Sequence, residues 1–326
     1  MSQLLSPLLY LSRDDIEKLA LPIDQIITAL EQMFREKGQG RTEMPPKPGI
    51  HTRPDAFIHA MPAYIPSLGA AGIKWISGYP ENHRQGLPYI TGLLILNDPE
   101  TGLPLAVMDA TWLTAQRTGA ATALAAKYLA RPDSATVGIL ACGVQGRSNL
   151  EALATLFPLR RVKAFDVRPQ VAQAFARDMG EALQLEIAVV DHPKDAVAGL
   201  DLVVTSGPIL KHAAPAIAAG WLSAGAFACP VDFDSYWQPA ALAEADRIAT
   251  DDLEQLRYYR KEGFFQHTPE PYADLGQLAA GLAPGRQRKD ERLLCFNLGL
   301  ALEDMATAIL LYQRARTQGL GRELPR

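Results

Sequence analysis

Apolar residues near the start of the chain recur at the spacing of one helical face. Ser12 followed by Asp15 is typical of a helix N-cap, and Gly38 and Gly40 are typical of a helix end. Between them the pattern predicts one helical region. Its apolar stripe consists of Leu19, Ile23, Ile26, Ile27, Leu30 and Phe34.

Between Lys47 and Asp109 the pattern changes to short runs with β-sheet character, separated by Gly and Pro. The runs are AFIHAMPAY, AGIKWIS, YITGLLILND and PLAVMDA, and they predict an antiparallel meander or a barrel. An Ala-rich helix is expected from Thr111 to Leu129, because Arg131-Pro132-Asp133 would end it.

The central part of the chain alternates between predicted strands and helices. A strand from residue 135 enters a Gly-rich turn, a helix follows, and a second strand covers residues 161–167. Further strands are predicted at 185–190, 201–205, 226–231 and 247–250, which implies a parallel sheet. Glu291 to Arg314 is predicted as one long helix.

These elements predict an α/β fold in which a Rossmann dinucleotide-binding domain is inserted into an α+β substrate-binding and dimerisation domain. We expect the inserted domain at residues 117–293. Residues 1–116 and 294–326 would form the discontinuous second domain.

The Gly-rich turn carries the strongest chemical signal. Ala141, Gly143 and Gly146 occupy the three G-x-G-x-x-G positions, and Ala at the first position requires a turn with φ below zero. Backbone at such a turn approaches a pyrophosphate, so Val144 and Gln145 are also predicted to bind the cofactor. We add Thr205, at the end of a predicted strand.

Asp166 lies 23 residues beyond Gly143, at the end of the second strand. A carboxylate there accepts the hydroxyl protons of an adenosine ribose and repels a 2'-phosphate, which favours NAD. Arg168 follows closely and could pair with a phosphate, so NADP stays possible. The alternative interpretation is that Asp166 only begins a turn.

Composition excludes several other classes of protein. The chain has 326 residues, 48% of them hydrophobic and 21% charged, with a net charge of −4. No apolar run is long enough to span a membrane, and no basic cluster suggests nucleic acid. The first residues do not resemble a signal peptide, so a cytoplasmic location is expected. The scattered Cys and His residues predict no metal site.

Three segments together resemble the ornithine cyclodeaminase/mu-crystallin family: AGIKWIS, GLLILNDPETGLPLAVMDATWLTAQRTGAATALAAKYLA and VGILACGVQGRSNLEAL. With the terminal FNLGLALEDMATAILLY, the likeness covers about Met44 to Tyr312. It implies a homodimer formed through the sheet of the substrate domain, and a Rossmann domain that holds NAD(H) or NADP(H). Members of the family act on small amino or imino acids, and some only bind ligands.

The resemblance also implies the roles of several residues. Lys47, Lys74 and Arg117 match the cationic residues that hold the substrate carboxylate and flank the reacting carbon, and Thr91 matches a neighbouring hydroxyl. The chemistry agrees, because a guanidinium binds a carboxylate through two parallel hydrogen bonds and a lysine supplies a movable proton. Lys74 also lies in an apolar strand, where an unpaired ammonium is costly.

The catalytic aspartate of the family matches Asp234, counted from Gly225, and Asp232 is the second candidate. If the chain stayed extended, both side chains would point the same way, and such a pair of carboxylates would raise one of the two pKa values and give a proton donor or acceptor near neutral pH. The alternative is a strand that ends in a solvated acidic turn.

Three functions follow from these expectations. The first is an NAD-dependent oxidoreductase of small amino or imino acids, such as a Δ1-pyrroline-2-carboxylate reductase or an amino-acid dehydrogenase. The second is an ornithine cyclodeaminase, a lyase that uses NAD catalytically and needs an acid near the substrate tail. The third is a nucleotide-dependent ligand-binding protein without turnover.

Overall fold

The computed structural model describes residues 7–326 and divides the chain into two units. The split unit combines the residues up to Arg117 with Leu300–Arg326, and the inserted unit is Thr118–Gly299. The first predicted boundary, at residue 117, lies within one residue of this division. The second, at residue 294, falls inside a strand of the inserted unit and is misplaced.

Helices and strands alternate along the chain, with short 3-10 turns at Pro66–Leu68, Pro80–Gln85 and Pro193–Ala196. In order, the elements are β1 (Leu8–Leu11), α1 (Arg13–Lys18), α2 (Ile23–Gly38), β2 (Gly49–Ile50), β3 (Phe57–Ile65), β4 (Ala70–Gly78), β5 (Ile90–Asn97), β6 (Pro104–Asp109), α3 (Thr111–Leu129), β7 (Thr136–Leu140), α4 (Val144–Leu156), β8 (Arg161–Phe165), α5 (Pro169–Leu183), β9 (Ile187–Val189), β10 (Leu202–Thr205), β11 (Phe227–Pro230), α6 (Pro239–Leu242), β12 (Arg247–Thr250), α7 (Leu253–Lys261), β13 (Ala273–Asp274), α8 (Leu275–Ala279), β14 (Leu293–Phe296), α9 (Ala301–Gln318) and β15 (Arg322–Leu324).

The first predicted helix is two helices. Ser12 and Asp15 form a reciprocal capping box at the start of α1, as the spacing predicted. However, Ala20 then takes a left-handed φ of 47°, and Pro22 in extended conformation precedes α2. Proline cannot continue a helix because it lacks the N–H, so the apolar stripe is divided between α1 and α2.

The split unit contains a seven-stranded open sheet in the order β15-β1-β6-β5-β4-β3-β2. Strands β3 to β6 form the predicted antiparallel meander, and the barrel alternative is not realised because the sheet has two edges. Helix α9 packs on β3, β4 and β5, and on α2. Apolar side chains of the other face are exposed, namely Tyr10, Trp75, Leu93 and Ile95.

The inserted unit contains an eight-stranded sheet in the order β13-β12-β14-β11-β10-β7-β8-β9, and every pair in it is parallel. The predicted parallel sheet is confirmed. The Gly-rich turn follows β7 and is therefore at the carboxyl edge of the sheet. Because β7 lies between β8 and β10, the strand order reverses at this strand, and doubly wound folds bind ligands at such a point.

The predicted helix from Glu291 to Arg314 is wrong in its first part. Residues Leu293–Phe296 form β14, which pairs with β11 and β12 and is fully buried. A strand buried on both faces has no alternation of polar and apolar residues, so its sequence does not distinguish it from a buried helix. Gly299 with φ of 79° then separates β14 from α9.

Candidate functional site

The turn between β7 and α4 has open space where a phosphate would need it. Gly143 is the N-cap of α4, and no side chain caps this helix. A Cβ added to Gly143 would meet no atom within 4 Å. By contrast, a Cβ at Gly146 would lie 2.6 Å from the carbonyl oxygen of Ala141, so Gly146 allows the helix to pack on the strand.

Ala141 departs from the conformation that the sequence predicted. Its φ is 72°, in the left-handed region, whereas we expected φ below zero. The turn holds this conformation by two hydrogen bonds: Ala141 N donates to the Phe165 carbonyl at 2.8 Å, and the Ser206 hydroxyl donates to the Ala141 carbonyl at 2.8 Å. The strain costs about 1–2 kcal/mol for a residue other than glycine.

The first turn of α4 supplies the groups that a dinucleotide needs. The N–H groups of Val144, Gln145 and Gly146 lie in the first helical turn, where intrahelical partners are lacking. The Val144 side chain is 63% exposed, and the buried Gln145 Oε1 has no hydrogen-bond partner among the described residues. With the open space at Gly143, these donors fit a pyrophosphate.

Asp166 lies directly after β8, and its carboxylate is held by backbone. Its Oδ2 accepts from Cys142 N and its Oδ1 from Arg168 N, both at 2.9 Å. Arg168 Nε is 3.7 Å from Oδ1, and the Arg168 side chain is half-exposed. Each carboxylate oxygen keeps a second lone pair that can accept from a ribose hydroxyl. Asp166 can therefore begin the turn and also bind the cofactor.

Thr205 supports a buried aspartate. It ends β10, and its hydroxyl donates to Asp232 Oδ1 at 2.7 Å while Gly207 N donates to Oδ2 at 3.0 Å. The Trp237 indole donates to Thr205 Oγ1 at 3.3 Å. Asp232 has no exposed surface, and burial raises its pKa to about 7, against the two hydrogen bonds that lower it.

Asp232 and Asp234 do not lie along an extended strand. Phe233 between them has φ of 58°, so the expectation that both carboxylates share one direction through strand alternation is wrong. The Thr268 hydroxyl donates to Asp234 Oδ2 at 3.3 Å. Asp234 is partly exposed whereas Asp232 is buried, and the charge of Asp234 is a minor cause of the raised pKa of Asp232.

In the split unit, Lys74 is completely buried on β4. Its Nζ donates to Asp304 Oδ1 at 2.7 Å and to Thr114 Oγ1 at 3.3 Å. Burial lowers the pKa of Lys74 to about 7, because an ammonium away from water loses its hydration, and Asp304 opposes this effect. An amine with this pKa exchanges protons near neutral pH.

Arg117 is brought to the same cluster by α3. Its Nε donates to Asp304 Oδ1 at 3.0 Å and its Nη1 to Glu303 Oε2 at 2.8 Å. Burial raises the pKa of Glu303, and Arg117 opposes this. The sequence thus correctly placed Lys74 and Arg117 together, but it missed their acidic partners.

A signal for these partners is present in the sequence. Glu303 and Asp304 are adjacent acids in the segment LGLALEDMATAILL, which is otherwise apolar or small. Both are fully buried. Buried carboxylates require cations, so two acids in an apolar helix indicate a partner elsewhere in the chain.

Lys47 is buried in the segment that precedes β2, the strand that pairs with β3. Its charge contributes to the low pKa values of both Lys74 and His59. Burial is the main cause of the lowered pKa of His59, about 3, and the His59 ring stacks on Phe57 at 4.3 Å. Lys47 therefore belongs to the electrostatic surroundings of Lys74.

Thr91 does not join this cluster. It pairs with Ser77, and their hydroxyl oxygens are 3.1 Å apart. Because side chains alternate along a strand, Ser77 and Thr91 lie on the face opposite to Lys74. The hydroxyl beside Lys74 is that of Thr114. The expectation that Thr91 neighbours the cationic residues is wrong.

Residues 7–326 contain no group of three or more His, Cys, Asp or Glu arranged to hold a metal ion. Within the same range, every helix is too short or too polar to cross a membrane.

A parallel-sheet unit with a Gly-rich turn at its carboxyl edge, inserted in sequence into a unit that holds a buried lysine and arginine, gives the chain an α/β fold. The chain belongs to the ornithine cyclodeaminase/mu-crystallin family, whose model matches residues 9–319. The predicted fold class and family are confirmed.

Solved and curated relatives include three kinds of enzyme. The Thermococcus litoralis Δ1-pyrroline-2-carboxylate reductase, in complex with NADH and L-proline, is 32% identical with a TM-score of 0.89, over 97% of this chain and 100% of that one. An alanine dehydrogenase of Archaeoglobus fulgidus is 34% identical over 328 residues, 97% of this chain and 98% of the relative. An archaeal alanine dehydrogenase dimer with bound NAD is 34% identical with a TM-score of 0.86, over 97% and 98%. A lysine cyclodeaminase is 26% identical with a TM-score of 0.88, over 98% and 96%.

Proposed function

We propose that this chain is an NAD-dependent oxidoreductase of small amino or imino acids, such as a Δ1-pyrroline-2-carboxylate reductase or an amino-acid dehydrogenase. The observation that carries the proposal is the fully buried Lys74, hydrogen-bonded beside Arg117 in a chain that also has a dinucleotide cradle. The named relatives with NAD or NADH support it.

The inserted unit is assigned to the cofactor. Its pyrophosphate would be held by Gly143, Val144, Gln145 and Gly146, and its adenosine ribose by Asp166. When bound, NAD(H) supplies or accepts the hydride. The buried negative charge of Asp166 favours NAD over NADP, although Arg168 is near enough to meet a phosphate.

The split unit is assigned to the substrate. Arg117 binds the carboxylate of the amino or imino acid, and the adjacent Lys74 transfers a proton. Lys47 adds positive charge, which favours an anionic substrate. Asp234 is the proposed acid or base of the inserted unit because it is partly exposed, and the buried Asp232 supports it.

An ornithine-type cyclodeaminase is the second candidate, and the likeness to lysine cyclodeaminase favours it. This reaction requires a carboxylate for the distal ammonium of a diamino acid. The two carboxylates nearest to Lys74 and Arg117 are Glu303 and Asp304, and both are already paired with these cations. The reductase or dehydrogenase therefore ranks first, and a binding protein without turnover ranks third.

We also propose a homodimer formed through the exposed face of the split unit's sheet. Trp75 and Leu93 are 49% and 47% exposed there, which is unusual for large apolar side chains side by side. The alanine dehydrogenase structure of a dimer supports this assembly. A cytoplasmic location is proposed because NAD(H) and free amino acids are available there.

The decisive experiment is a panel of amino and imino acids tested with NAD(H) and NADP(H) by nicotinamide absorbance. Net oxidation of NADH with an imino acid, or reduction of NAD with an amino acid, would support the proposal. Ammonia release from ornithine or lysine without net absorbance change would establish the cyclodeaminase. Cofactor and amino-acid binding without either reaction would establish the binding protein.

A further inference from the structure

A single carboxylate oxygen joins the two cations of the split unit. Asp304 Oδ1 accepts from Lys74 Nζ at 2.7 Å and from Arg117 Nε at 3.0 Å. Glu303 Oε2 accepts from the other end of the same guanidinium at 2.8 Å. The two acids thus fix the orientation of the Arg117 guanidinium and the position of the Lys74 ammonium beside it.

Burying these four charged side chains costs desolvation free energy, which apolar side chains packed in the same place would avoid. All four side chains are at least nine-tenths buried, and Glu303 Oε1 and Asp304 Oδ2 have no hydrogen-bond partner among the described residues. Buried ion pairs are frequently no more stabilising than well-packed apolar residues of similar size. An arrangement of this kind is therefore better explained by a need for fixed charges.

We propose that Asp304 is a positioning residue for the proposed reaction. It holds the side chains of Lys74 and Arg117 in fixed positions relative to each other, and Glu303 anchors the far end of Arg117. The inference rests on the proposed function of the split unit. Neither acid needs to touch the substrate, since each acts through a cation that does.

The charges around Lys74 show what Asp304 controls. Asp304 and Glu303 face the cluster from α9, Arg117 and Thr114 from α3, and Lys47 from the segment before β2. Burial, Arg117 and Lys47 all lower the pKa of Lys74, and Asp304 is the group that raises it. Asp304 thus favours the protonated form of Lys74 near neutral pH.

The test compares the pH profiles of Asp304→Asn and wild-type full-length protein. If protonated Lys74 is the proton donor, the alkaline fall of kcat/KM for imine reduction should move to lower pH by at least about one unit in D304N. Asp304→Glu should restore part of the shift because it keeps the charge. Glu303→Gln should raise KM about tenfold with a smaller effect on kcat, because Arg117 loses its anchor.

Glu291→Gln is the matched control, because Glu291 is a buried acid paired with Arg247 in the inserted unit. It should leave the pH profile unchanged. A D304N enzyme that is active with the wild-type profile would overturn the inference while the proposed function stands. A shift in E291Q as large as in D304N would also overturn it, because the effect would then be a general loss of stability.

A second measurement does not depend on turnover. A double-mutant cycle of Lys74→Met and D304N, followed by urea unfolding at pH 6, should give a coupling of at least about tenfold in the unfolding constant. If the wild type were inactive across the panel, the proposed function would fail. The double-mutant cycle alone would then decide whether Asp304 holds Lys74. Coupling below about threefold would mean that Asp304 does not hold Lys74.

Discussion

The hydroxyl of Thr205 donates a 2.7 Å hydrogen bond to the buried carboxylate of Asp232. Burial raises the pKa of Asp232 to about 7, from an ordinary value of 3.8. Between these two pH values the folded protein binds more protons than the unfolded chain, so this group makes the fold less stable as pH rises from about 4 to about 7. The full effect is at most about 4 kcal/mol.

We therefore expect Thr205→Val to be more destabilising at pH 8 than at pH 5. The hydroxyl stabilises the ionised carboxylate more than the protonated one, and the difference should be about 1–2 kcal/mol. Urea unfolding at the two pH values measures it. Thr205→Ser keeps the hydroxyl and should resemble the wild type; equal costs of T205V at both pH values would contradict the prediction.

The two aspartates of the inserted unit should differ in their effects on catalysis. Asp234→Asn should lower kcat by about 10²–10⁴, as expected for a general acid or base. Asp232→Asn keeps the side-chain shape and should lower kcat less, because Asp232 is buried and acts through its neighbours. Steady-state kinetics with both variants checks this, and a larger loss in D232N would reverse the two roles.

Substitutions at Gly143 and Gly146 should separate an effect on cofactor binding from an effect on stability. Gly143→Ala meets open space at φ of −76°, so its melting temperature should stay near that of the wild type while NADH affinity falls at least about tenfold. Gly146→Ala would press against the Ala141 carbonyl and should cost about 1–3 kcal/mol of stability. Thermal unfolding and NADH fluorescence titration distinguish them, and equal melting temperatures for the two variants would be inconsistent with the cradle.

Asp166→Asn should change the cofactor preference. Loss of the negative charge weakens the hold on the ribose hydroxyls and removes repulsion of a 2'-phosphate near Arg168. The ratio of NADPH to NADH affinity should rise about tenfold or more, measured by titration without substrate. Asp178→Asn, at an exposed acid on α5, serves as the control, and an unchanged ratio in D166N would leave Asp166 with only its role in the turn.

Trp75→Asp and Leu93→Asp should convert a dimer into a monomer. Both side chains lie on the exposed sheet face, where a charge would be desolvated in an interface. Light scattering after size-exclusion chromatography gives the mass of each variant. Leu282→Asp, at a 66% exposed residue of the inserted unit, should stay dimeric. Dimers in all three variants would place the interface elsewhere.

The sequence was sufficient for features that depend on neighbouring residues. The capping box of Ser12, the meander and the Gly-rich turn each have a local cause. Thr91 was misplaced because its face depends on strand register, which the sequence does not specify directly. Strand β14 was missed because complete burial removes the alternation that identifies a strand.

The acidic partners of the cations were missed for a different reason. Lys74 and Asp304 are 230 residues apart, and Arg117 and Asp304 are 187 apart. Local patterns carry no information about which distant charges will meet. Ala141 shows a third limit, since hydrogen bonds to Phe165 and Ser206 hold a conformation that its residue type alone disfavours.

The distance of Asp304 along the chain has a consequence for biosynthesis. The inserted unit is contiguous, so a growing polypeptide completes it before α9 leaves the ribosome. Until then the ammonium of Lys74 lacks its partner Asp304, and burying it on β4 would carry an electrostatic cost. The split unit is thus completed last, and a chain that ends before residue 304 contains all of the inserted unit but lacks the carboxylate that pairs with Lys74 and Arg117.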